Sequence, residues 1–387
     1  MKPGLNCPPV LFSVSHSAVV GGYRKRYSEV ARQSGFSVHL LAPKRWRQFN
    51  RVIGLEADSD PGYRVIARQP VTPGFWSHGL RNATHYYPGL TGLLRETRPD
   101  IIELWEEPFA AVTWQVIRAA KRTLPNSRII FFSAQNIRKD YPPPFSWFER
   151  FTYRRADFAF AINAEAEKVI REKGWKKGAR VLPLGVDPGF FQPADASDRR
   201  AELGLDGFTI GFVGKLERQK GILDLIRAVG GISAPVNLLV IGDGPLRAQA
   251  VRLAEESGLA GRARFLPAVP YDGLPGYLNC LDVLVLPSIT LPGLKEQFGR
   301  VLVEAMSCAV PVIGSDSGEI PGIIGAAGLI FPEGDVAALR DRIVSLRESP
   351  ETAADLARKG RERVKTKFTW ETIARRQVEV YKRLLER

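Results

Sequence analysis

Short runs of β-branched and aromatic residues alternate with helically spaced apolar residues along the first half of the chain. The run VLFSV at residues 10–14 predicts a strand, and the apolar spacing over residues 23–34 predicts the helix that follows it. Later elements of the same kind are strands at residues 36–42, 100–105 and 128–133 and a helix over residues 110–122. Strands that alternate with helices favour a parallel sheet with helices on both faces.

The alternation lapses between residues 186 and 208, where proline, glycine and small polar residues predict a linker with one short helix. It then restarts with strands over 208–214 and 236–242, a helix over 221–229 and another ending near residue 257. The spacing of FTWETIARRQVEVYKRLLER predicts a final helix over residues 370–387 that packs back on the fold. We therefore predict two doubly wound α/β domains, 1–190 and 191–369, with a ligand in the cleft between them.

Composition agrees with this prediction. A chain of 387 residues is long enough for two domains, and 44% hydrophobic and 25% charged residues are typical of soluble globular proteins. No run of apolar residues is long enough to span a bilayer, and the first residues favour a strand over a secretory signal. The spacing of Cys7, Cys280 and Cys308 predicts neither a disulfide framework nor a zinc motif, so a cytoplasmic location is expected.

The net charge of +14 is concentrated in the first half. Residues 1–190 contain 29 Lys and Arg against 16 Asp and Glu, whereas the remainder is nearly balanced. This asymmetry suggests an anionic partner, for which there are three alternatives: nucleic acid, a membrane surface or an acidic substrate. A charge excess that only improves solubility is the simpler explanation.

A phosphate-binding loop of a different kind lies at the start of the second half. Neither G-x-G-x-x-G after the first strand nor P-loop spacing occurs, so a dinucleotide is not predicted. Instead, FVGKLERQKG places Gly214, Lys215 and Lys220 between a strand and a helix. Glycine permits close approach to the backbone, and lysines near a helix N-terminus suit a diphosphate. The common alternative is that these lysines are solvated in a loop and bind no ligand.

Two glutamates frame the segment EQFGRVLVE. Glu296 precedes a predicted helix, and Glu304 lies in its second turn among the apolar residues Val301, Leu302, Ala305 and Met306. Glu296 can act as a capping group. Glu304 needs a partner if it is buried, and a ribose diol is suitable because a carboxylate accepts from both hydroxyls.

With these motifs the chain resembles the retaining glycosyltransferases of family 4, which have the GT-B fold and use nucleotide sugars. The resemblance covers almost the whole chain. Its most specific segments are GFVGKLERQKG (211–221), VIGDGPLR (240–247), DVLVLPS (282–288), EQFGRVLVEAMSCAVPVIGSDSGEIP (296–321) and GLIFPEGD (328–335).

The resemblance implies specific roles. Glu304 would hold the donor ribose, Glu296 and the N–H groups of residues 298–300 the transferred sugar, and Lys215 and Lys220 the diphosphate. The candidate catalytic residues are Glu296, Lys220 and Lys215. The full set of donor-binding candidates is Gly21, Gly22, Gly214, Lys215, Lys220, Gly242, Val269, Glu296, Phe298, Gly299, Arg300, Val301 and Glu304.

The implied reaction is a hexosyl transfer with retention at the anomeric carbon, without a metal ion or a cofactor other than the nucleotide sugar. In same-face attack, a leaving phosphate oxygen takes the acceptor proton. This mechanism requires the protein mainly to position the reactants and to stabilise charge. A double displacement would need a carboxylate near the anomeric carbon, as in retaining glycosidases. The residues do not distinguish UDP from GDP or identify the sugar.

The first domain departs from the family pattern. Glu106, Gln135 and Asn136 stand where the family commonly has a histidine, and His16 follows the first strand, so these four residues are candidates for the acceptor side. Lys215 stands where many members have arginine, which replaces a planar fork with a point charge.

The predicted acceptor is a glycan, a lipid-linked sugar or a small molecule. Cations mix with aromatic residues at 23–27, 43–51 and 74–81, which predicts peripheral binding to an anionic membrane surface. The alternative for these arginines is that they line the cleft for an anionic acceptor or stay solvated. The alternatives are a nucleotide-sugar 2-epimerase, disfavoured by the scarcity of histidine, and a nucleic-acid-binding protein, for which no recognition motif is found.

Overall fold

A computed structural model describes residues 7–48, 51–57, 62–73 and 81–386. The chain divides into two compact units, the first made of Met1–Pro183 and Trp370–Arg387 and the second of Leu184–Thr369. The sequence predicts the first boundary at residue 190. In the structure it lies at Pro183, because the backbone around Val186 already bonds to the second unit, where the Val186 N–H donates to the Phe368 carbonyl at 2.8 Å.

The first unit contains a parallel sheet and one antiparallel hairpin. Its strands are β1 (Val10–Val14), β2 (Ser37–Pro43), β3 (Arg45–Gln48), β4 (Arg51–Gly54), β5 (Arg64–Arg68), β6 (Ile101–Leu104), β7 (Arg128–Ser133), β8 (Phe158–Ala161) and β9 (Gly178–Val181). The sheet order in the described residues is β5-β2-β1-β6-β7-β8-β9, and β3 and β4 form the hairpin. The order reverses direction between β1 and β6, as in doubly wound sheets.

Amphipathic helices connect these strands. They are α1 (Lys25–Ser34), α2 (Arg81–Thr84), α3 (Leu90–Thr97), α4 (Ala111–Thr123), α5 (Phe145–Arg155) and α6 (Ala164–Glu172). Helix α1 begins at Lys25 rather than at the predicted residue 23, because Gly21–Tyr23 forms a 3-10 turn. The core between sheet and helices includes the fully buried Phe12, Ile102 and Phe131.

The second unit repeats the plan. Its strands are β10 (Thr209–Val213), β11 (Asn237–Ile241), β12 (Ala263–Leu266), β13 (Val283–Leu286), β14 (Val312–Ser315) and β15 (Leu329–Phe331). Its helices are α7 (Ser197–Leu203), α8 (Ile222–Gly230), α9 (Arg247–Glu256), α10 (Leu274–Leu278), α11 (Arg300–Ser307), α12 (Ile320–Ile324), α13 (Val336–Glu348) and α14 (Pro350–Lys367). The parallel sheet has the order β12-β11-β10-β13-β14-β15 and reverses between β10 and β13. Two doubly wound domains are thus confirmed.

The last helix, α15 (Trp370–Leu385), packs back on the fold as predicted, and the structure places it on the first unit. A buried carboxylate in β6 holds it there. Glu103 Oε1 accepts hydrogen bonds from Gln377 Nε2 at 2.8 Å and from the Tyr381 hydroxyl at 2.7 Å. Its other oxygen accepts from the Ser13 hydroxyl at 3.1 Å. Such a satisfied polar network in a core fixes the position of the elements that it joins.

The structure buries several side chains of two predicted membrane-facing clusters. Arg24, Arg26 and Tyr27 are buried, and the Arg26 guanidinium lies 3.5 Å from the centroid of the Trp105 ring. In the second cluster Trp46 is buried, whereas Lys44, Arg45 and Arg47 are exposed. The prediction for residues 23–27 and for Trp46 was therefore wrong, since these side chains complete the interior of the first unit. Phe49 and residues 74–80 of the third cluster, with His78, lie outside the described residues.

Candidate active site

Glycines bring three loops of the second unit into backbone contact at the carboxyl edge of the sheet. Gly242 follows β11 with a φ of +146°, and a Cβ atom there would lie 1.9 Å from the carbonyl oxygen of Gly214, which follows β10. Gly221 has a φ of +66°, and its Cβ atom would lie 1.8 Å from the carbonyl oxygen of Pro287, after β13. Close packing therefore requires glycine at 221 and 242. This edge includes the reversal between β10 and β13, where doubly wound sheets bind ligands.

Lys220 and Glu296 form an ion pair at this edge. The Nζ atom of Lys220 lies 2.6 Å from Oε2 of Glu296. Lys220 ends a short 3-10 turn (Arg218–Lys220) after β10, and Glu296 lies in the loop between β13 and α11. The Ser288 hydroxyl donates to the same oxygen at 2.9 Å. Two residues predicted for different parts of the donor thus belong to one cluster. Ser288, in the loop that follows β13, is a member that sequence reasoning missed.

The surroundings of Glu296 keep its carboxylate ionised. Burial raises the pKa of Glu296, but Lys220, Ser288 and the backbone N–H of Gly299 lower it more, so the pKa lies below its ordinary value. The N–H groups of residues 298–300 were expected to face the sugar. In the structure, the Gly299 N–H points instead at Glu296.

Lys215 has a weaker and more exposed pairing. Its Nζ atom lies 2.5 Å from Oε2 of Glu217, and 41% of its side chain is exposed, against 22% for Lys220. A pair this accessible to water contributes little to folding. Lys215 therefore remains available to an anion at the end of β10.

Glu304 lies in the second turn of α11 and is only 4% exposed. Burial raises the pKa of its carboxyl to about 7, against a smaller opposing effect of the Arg300 guanidinium. The condition under which Glu304 needs a partner, burial on an apolar helix, is therefore met. The ribose-binding role of Glu304 stays a prediction. Because its pKa lies near neutral pH, hydrogen bonds donated by ribose hydroxyls would favour the ionised carboxylate.

The remaining predicted donor residues lie around the start of α11 and after β12. Gly299 precedes α11 with a φ of +75°. Phe298 is buried, with its ring centroid 6.1 Å from that of Phe368, so its side chain belongs to the core. Val301 is half-buried rather than part of the predicted buried stripe, and Val269 is half-buried in the loop after β12. The stripe itself is formed by the buried residues Leu302, Val303, Ala305 and Met306.

In the first unit, His16 and Glu106 meet where the strand order reverses between β1 and β6. His16 Nδ1 lies 2.7 Å from Glu106 Oε2, and the His16 backbone N–H donates to Glu106 Oε1 at 2.7 Å. Burial lowers the pKa of His16, but the charge and hydrogen bond of Glu106, together with the charge of Glu107, raise it more, so it lies above its ordinary value. Two of the four predicted acceptor-side residues are thus brought into direct contact.

Two residues that the sequence did not single out for this site complete the cluster. The buried His85 has its Nε2 atom 3.8 Å from Glu106 Oε1. Trp46 packs against both imidazoles, with ring centroids 5.1 Å from His16 and 4.9 Å from His85. His85 follows a short helix and carries no local motif, so only the fold brings it to the site.

The other two acceptor-side candidates, Gln135 and Asn136, have different surroundings. Gln135 lines a small cavity beside Glu107, whose carboxylate accepts from the Ser133 hydroxyl at 2.9 Å and the Ala134 N–H at 2.8 Å. Burial raises the pKa of Glu107 to about 7. Asn136 is buried and its side chain donates to Glu165 at 3.4 Å. Glu107 is a second acid that sequence reasoning missed, although the Glu-Glu doublet after a strand was a signal for it.

The glycine loop of the first unit already contacts an anionic group. The Gly21 N–H donates to a carboxylate oxygen of Glu56 at 2.5 Å. Gly22 is half-buried in the same turn. A backbone N–H that donates to a carboxylate here is suited to other oxyanions as well.

Among the described residues, no helix has both the length and the apolar character to cross a bilayer.

Each unit of the chain matches a known protein family. Residues 21–185 match the family described as glycosyl transferase 4-like domain, and residues 195–363 match the glycosyl transferases group 1. The two matches fall in the first and second units respectively.

Two curated relatives at 30% identity or more match part of the chain. The chain is 30% identical over 261 residues to alpha-maltose-1-phosphate synthase of Mycolicibacterium smegmatis, covering 62% of this chain and 66% of that protein. It is 37% identical over 211 residues to 2-deoxystreptamine N-acetyl-D-glucosaminyltransferase of Streptomyces fradiae, covering 49% and 47%. These matches span about half to two thirds of the relatives' own length.

Solved structures share the complete fold. Sucrose-phosphate synthase of Thermosynechococcus elongatus has a TM-score of 0.73 at 22% identity, over 98% of this chain and 99% of that one. Anabaena HepE in complex with UDP has a TM-score of 0.73 at 20% identity, over 97% and 99%. The predicted fold and family are thereby confirmed: the chain belongs to the glycosyltransferases of the GT-B fold, with a family 4-like first unit and a group 1 second unit.

Proposed function

We propose that this glycosyltransferase moves a hexosyl group from a nucleoside-diphosphate sugar to a hydroxyl acceptor, with retention and without a metal ion in the transfer step. The observation that carries the proposal is the Lys220–Glu296 pair at the reversal between β10 and β13, beside the start of α11. A cation and a carboxylate held together there can bind the two ends of a sugar diphosphate, one contacting phosphate and the other contacting sugar hydroxyls.

The diphosphate is assigned to Lys220 and Lys215. Both follow β10, and both are only partly shielded from water in this structure. A phosphate oxygen arriving at Lys220 would share or replace its bond to Glu296, since an ammonium has three donors. Together with the N-terminus of α11, these lysines would stabilise the charge that develops on the leaving diphosphate, which is the role that other transferases give to a metal ion.

The ribose is assigned to Glu304. Its burial and its pKa of about 7 describe a carboxyl that is close to half-ionised without a ligand at neutral pH. Two ribose hydroxyls would donate to the ionised form and favour it. Anabaena HepE binds UDP, and one relative from Corynebacterium glutamicum is a GDP-mannose-dependent mannosyltransferase, so uracil and guanine are the first bases to test.

Retention by same-face attack agrees best with the bonding of Glu296. Its carboxylate already interacts with Lys220, Ser288 and the Gly299 N–H, and its pKa is lowered. A carboxylate stabilised in this way is a weak nucleophile, which disfavours a glycosyl-enzyme intermediate on Glu296. The proposal therefore gives Glu296 a positioning role toward the sugar and lets a phosphate oxygen take the acceptor proton.

The acceptor is assigned to the carboxyl edge of the first unit, near His16 and Gln135. For peripheral membrane binding, α5 is a candidate surface in addition to the exposed Lys44, Arg45 and Arg47 of the second predicted segment. Trp147 on this helix is 59% exposed, and Arg150 and Arg154 are exposed at positions that share its face. An exposed tryptophan flanked by arginines suits an anionic bilayer. We therefore propose that α5 contacts the membrane and that the acceptor is membrane-proximal.

The test is a turnover assay with a panel of UDP- and GDP-hexoses and sugar acceptors in the presence of a chelator. The proposal predicts release of one nucleoside diphosphate and a product whose anomeric configuration, read by NMR, equals that of the donor. An inverted product, or transfer that stops when a chelator is added and resumes with metal, would contradict it.

A further inference from the structure

A second cluster of ligating side chains lies in the first unit and has no part in the proposed donor site. His16 follows β1, Glu106 follows β6, and His85 lies between α2 and α3. One ligand atom from each residue lies within 4.8 Å of the other two. Three segments far apart in the sequence thus aim two imidazoles and one carboxylate at a common point.

The hydrogen bonds of His85 decide which of its nitrogens is protonated. Its Nδ1 atom lies 3.1 Å from the carbonyl oxygen of Asn82, and a carbonyl can only accept, so Nδ1 carries the hydrogen. In the neutral ring, Nε2 then carries a lone pair, and it lies 3.8 Å from Oε1 of the Glu106 carboxylate. A lone pair that faces a carboxylate across this distance is stabilised by a cation between them.

We propose that His16, His85 and Glu106 form a binding site for a divalent transition-metal ion, Zn²⁺ above all. Two imidazoles and a carboxylate are a ligand set that zinc prefers, and ligands about 2.0–2.2 Å from a tetrahedral ion lie roughly 3.4 Å apart. Glu106 Oε1 lies 2.9 Å from His16 Nδ1 and 3.8 Å from His85 Nε2, and these two distances bracket that value. Small side-chain movements would therefore suffice.

The outer partners of the ligands are already in place. His85 donates through Nδ1 to the Asn82 carbonyl, and Glu106 Oε1 accepts the His16 backbone N–H at 2.7 Å. Partners of this kind orient metal ligands in proteins. Trp46 covers both rings, while 21% of the His16 side chain is exposed against 1% for Glu106. The fourth coordination position would thus open on the His16 side, to water or a ligand oxygen.

Binding would exchange protons for the metal. His16 Nδ1 now donates to Glu106, and the ion would displace that hydrogen and bond to both groups. The inference goes beyond the proposed transfer reaction, which does not run through this ion. A failure to bind zinc would leave the donor-site proposal untouched.

The test is calorimetric titration of ZnCl₂ into the chelator-treated full chain carrying Cys7→Ser, which removes an exposed thiol. We expect one equivalent to bind with a submicromolar dissociation constant, and Zn²⁺ to raise the melting temperature, whereas Mg²⁺ does neither. His16→Gln, at the accessible rim, and Glu106→Gln should each weaken zinc binding at least tenfold. His39→Gln is the matched control, because His39 lies in β2 and bonds to Ser37 instead.

Equal zinc affinity in His16→Gln and the parent would overturn the proposal, as would the absence of binding to the parent. Because Glu106 is buried and its substitution can impair folding, circular dichroism of each variant accompanies the titration, and His16→Gln decides the result if Glu106→Gln unfolds. Long-range ¹⁵N NMR of the imidazoles gives a second measure. A zinc-induced shift confined to His16 and His85 supports the site, and unchanged ring signals contradict it.

Discussion

The Nζ atom of Lys220 lies 2.6 Å from Oε2 of Glu296, across 76 positions of sequence. This contact joins the loop after β10 to the loop before α11, and it places a cation and an anion where the sheet order reverses. In the proposed reaction the same two side chains hold the diphosphate and the sugar. The site is therefore prepared before the donor arrives, because the Lys220 ammonium helps to keep the Glu296 carboxylate ionised.

Lys220→Met tests this pair through folding. Removing the ammonium leaves a buried carboxylate with one partner fewer, so the free energy of unfolding should fall by about 1–3 kcal/mol. Chemical denaturation measures the change. Lys215→Met is the matched control, since its exposed pair with Glu217 should cost less than about 0.5 kcal/mol. Equal losses in the two variants would show that the Lys220–Glu296 contact has no special strength.

Glu304 predicts a pH dependence of stability. Its pKa is about 7 in the folded chain against an ordinary value of 4.5, so the folded state holds the proton more tightly than the unfolded state. The resulting stability is fully present below pH 4.5 and is lost as the pH rises to about 7, by roughly 3 kcal/mol at most. Glu304→Gln, which cannot ionise, should flatten this part of the stability curve. Identical curves for the two proteins would contradict the raised pKa.

The same carboxyl should make nucleoside binding depend on pH. Only the ionised form accepts from both ribose hydroxyls, so the affinity for uridine or guanosine should rise between pH 6 and pH 8. A nucleoside is the right probe because it has no phosphate that titrates in this range. In Glu304→Gln the affinity should be lower and independent of pH. If the affinity of the variant still depends on pH, a group other than Glu304 binds the ribose.

The sequence predicts those features of the molecule that depend on residues close together in the chain. The strands at residues 10–14 and 128–133 are found at the predicted positions, since an apolar run between turn residues is a local signal. Glu304 was recognised for the same reason, as one acid on an apolar helix. The Glu103 carboxyl in the apolar strand β6 offered the same kind of signal and was overlooked.

Features that depend on tertiary packing were not predictable in this way. Arg26 reads locally as a surface cation, but in the fold its guanidinium stacks on Trp105, 79 positions away in the sequence. His85 and Trp46 meet His16 only because their separate segments fold onto one sheet edge. Residue spacing contains no information on such encounters, so the membrane prediction for residues 23–27 failed.

The Glu103 network predicts how firmly the last helix is held. Glu103→Ala would leave the Gln377 and Tyr381 donors buried without their acceptor, so the free energy of unfolding should fall by about 2–4 kcal/mol. Glu379→Ala is the control on the same helix, because its pair with Arg180 is exposed and should contribute less than about 0.5 kcal/mol. Denaturation curves of both variants decide the comparison, and a small effect of Glu103→Ala would refute the anchoring role.

Membrane binding should depend on α5. Arg154→Gln should weaken sedimentation with anionic vesicles about fivefold at low salt, because a basic side chain near the surface contributes about 1 kcal/mol. Trp147→Ala should weaken it at least as much, since the ring is lost from the interface. Arg252→Gln, an exposed arginine of the second unit, serves as the charge-matched control. Binding that is indifferent to lipid charge, or reduced equally in the control, would exclude this surface.

Calorimetric titration of UDP, GDP and the corresponding nucleosides tests the central claim most directly. One diphosphate should bind the parent chain with a stoichiometry of one, in the presence of a chelator. Lys220→Met should lose affinity for the diphosphate at least tenfold more than for the nucleoside, whereas Glu304→Gln should weaken both. If neither diphosphate binds, or if Lys220→Met weakens diphosphate and nucleoside equally, the donor site is not the one formed by Lys220, Glu296 and Glu304.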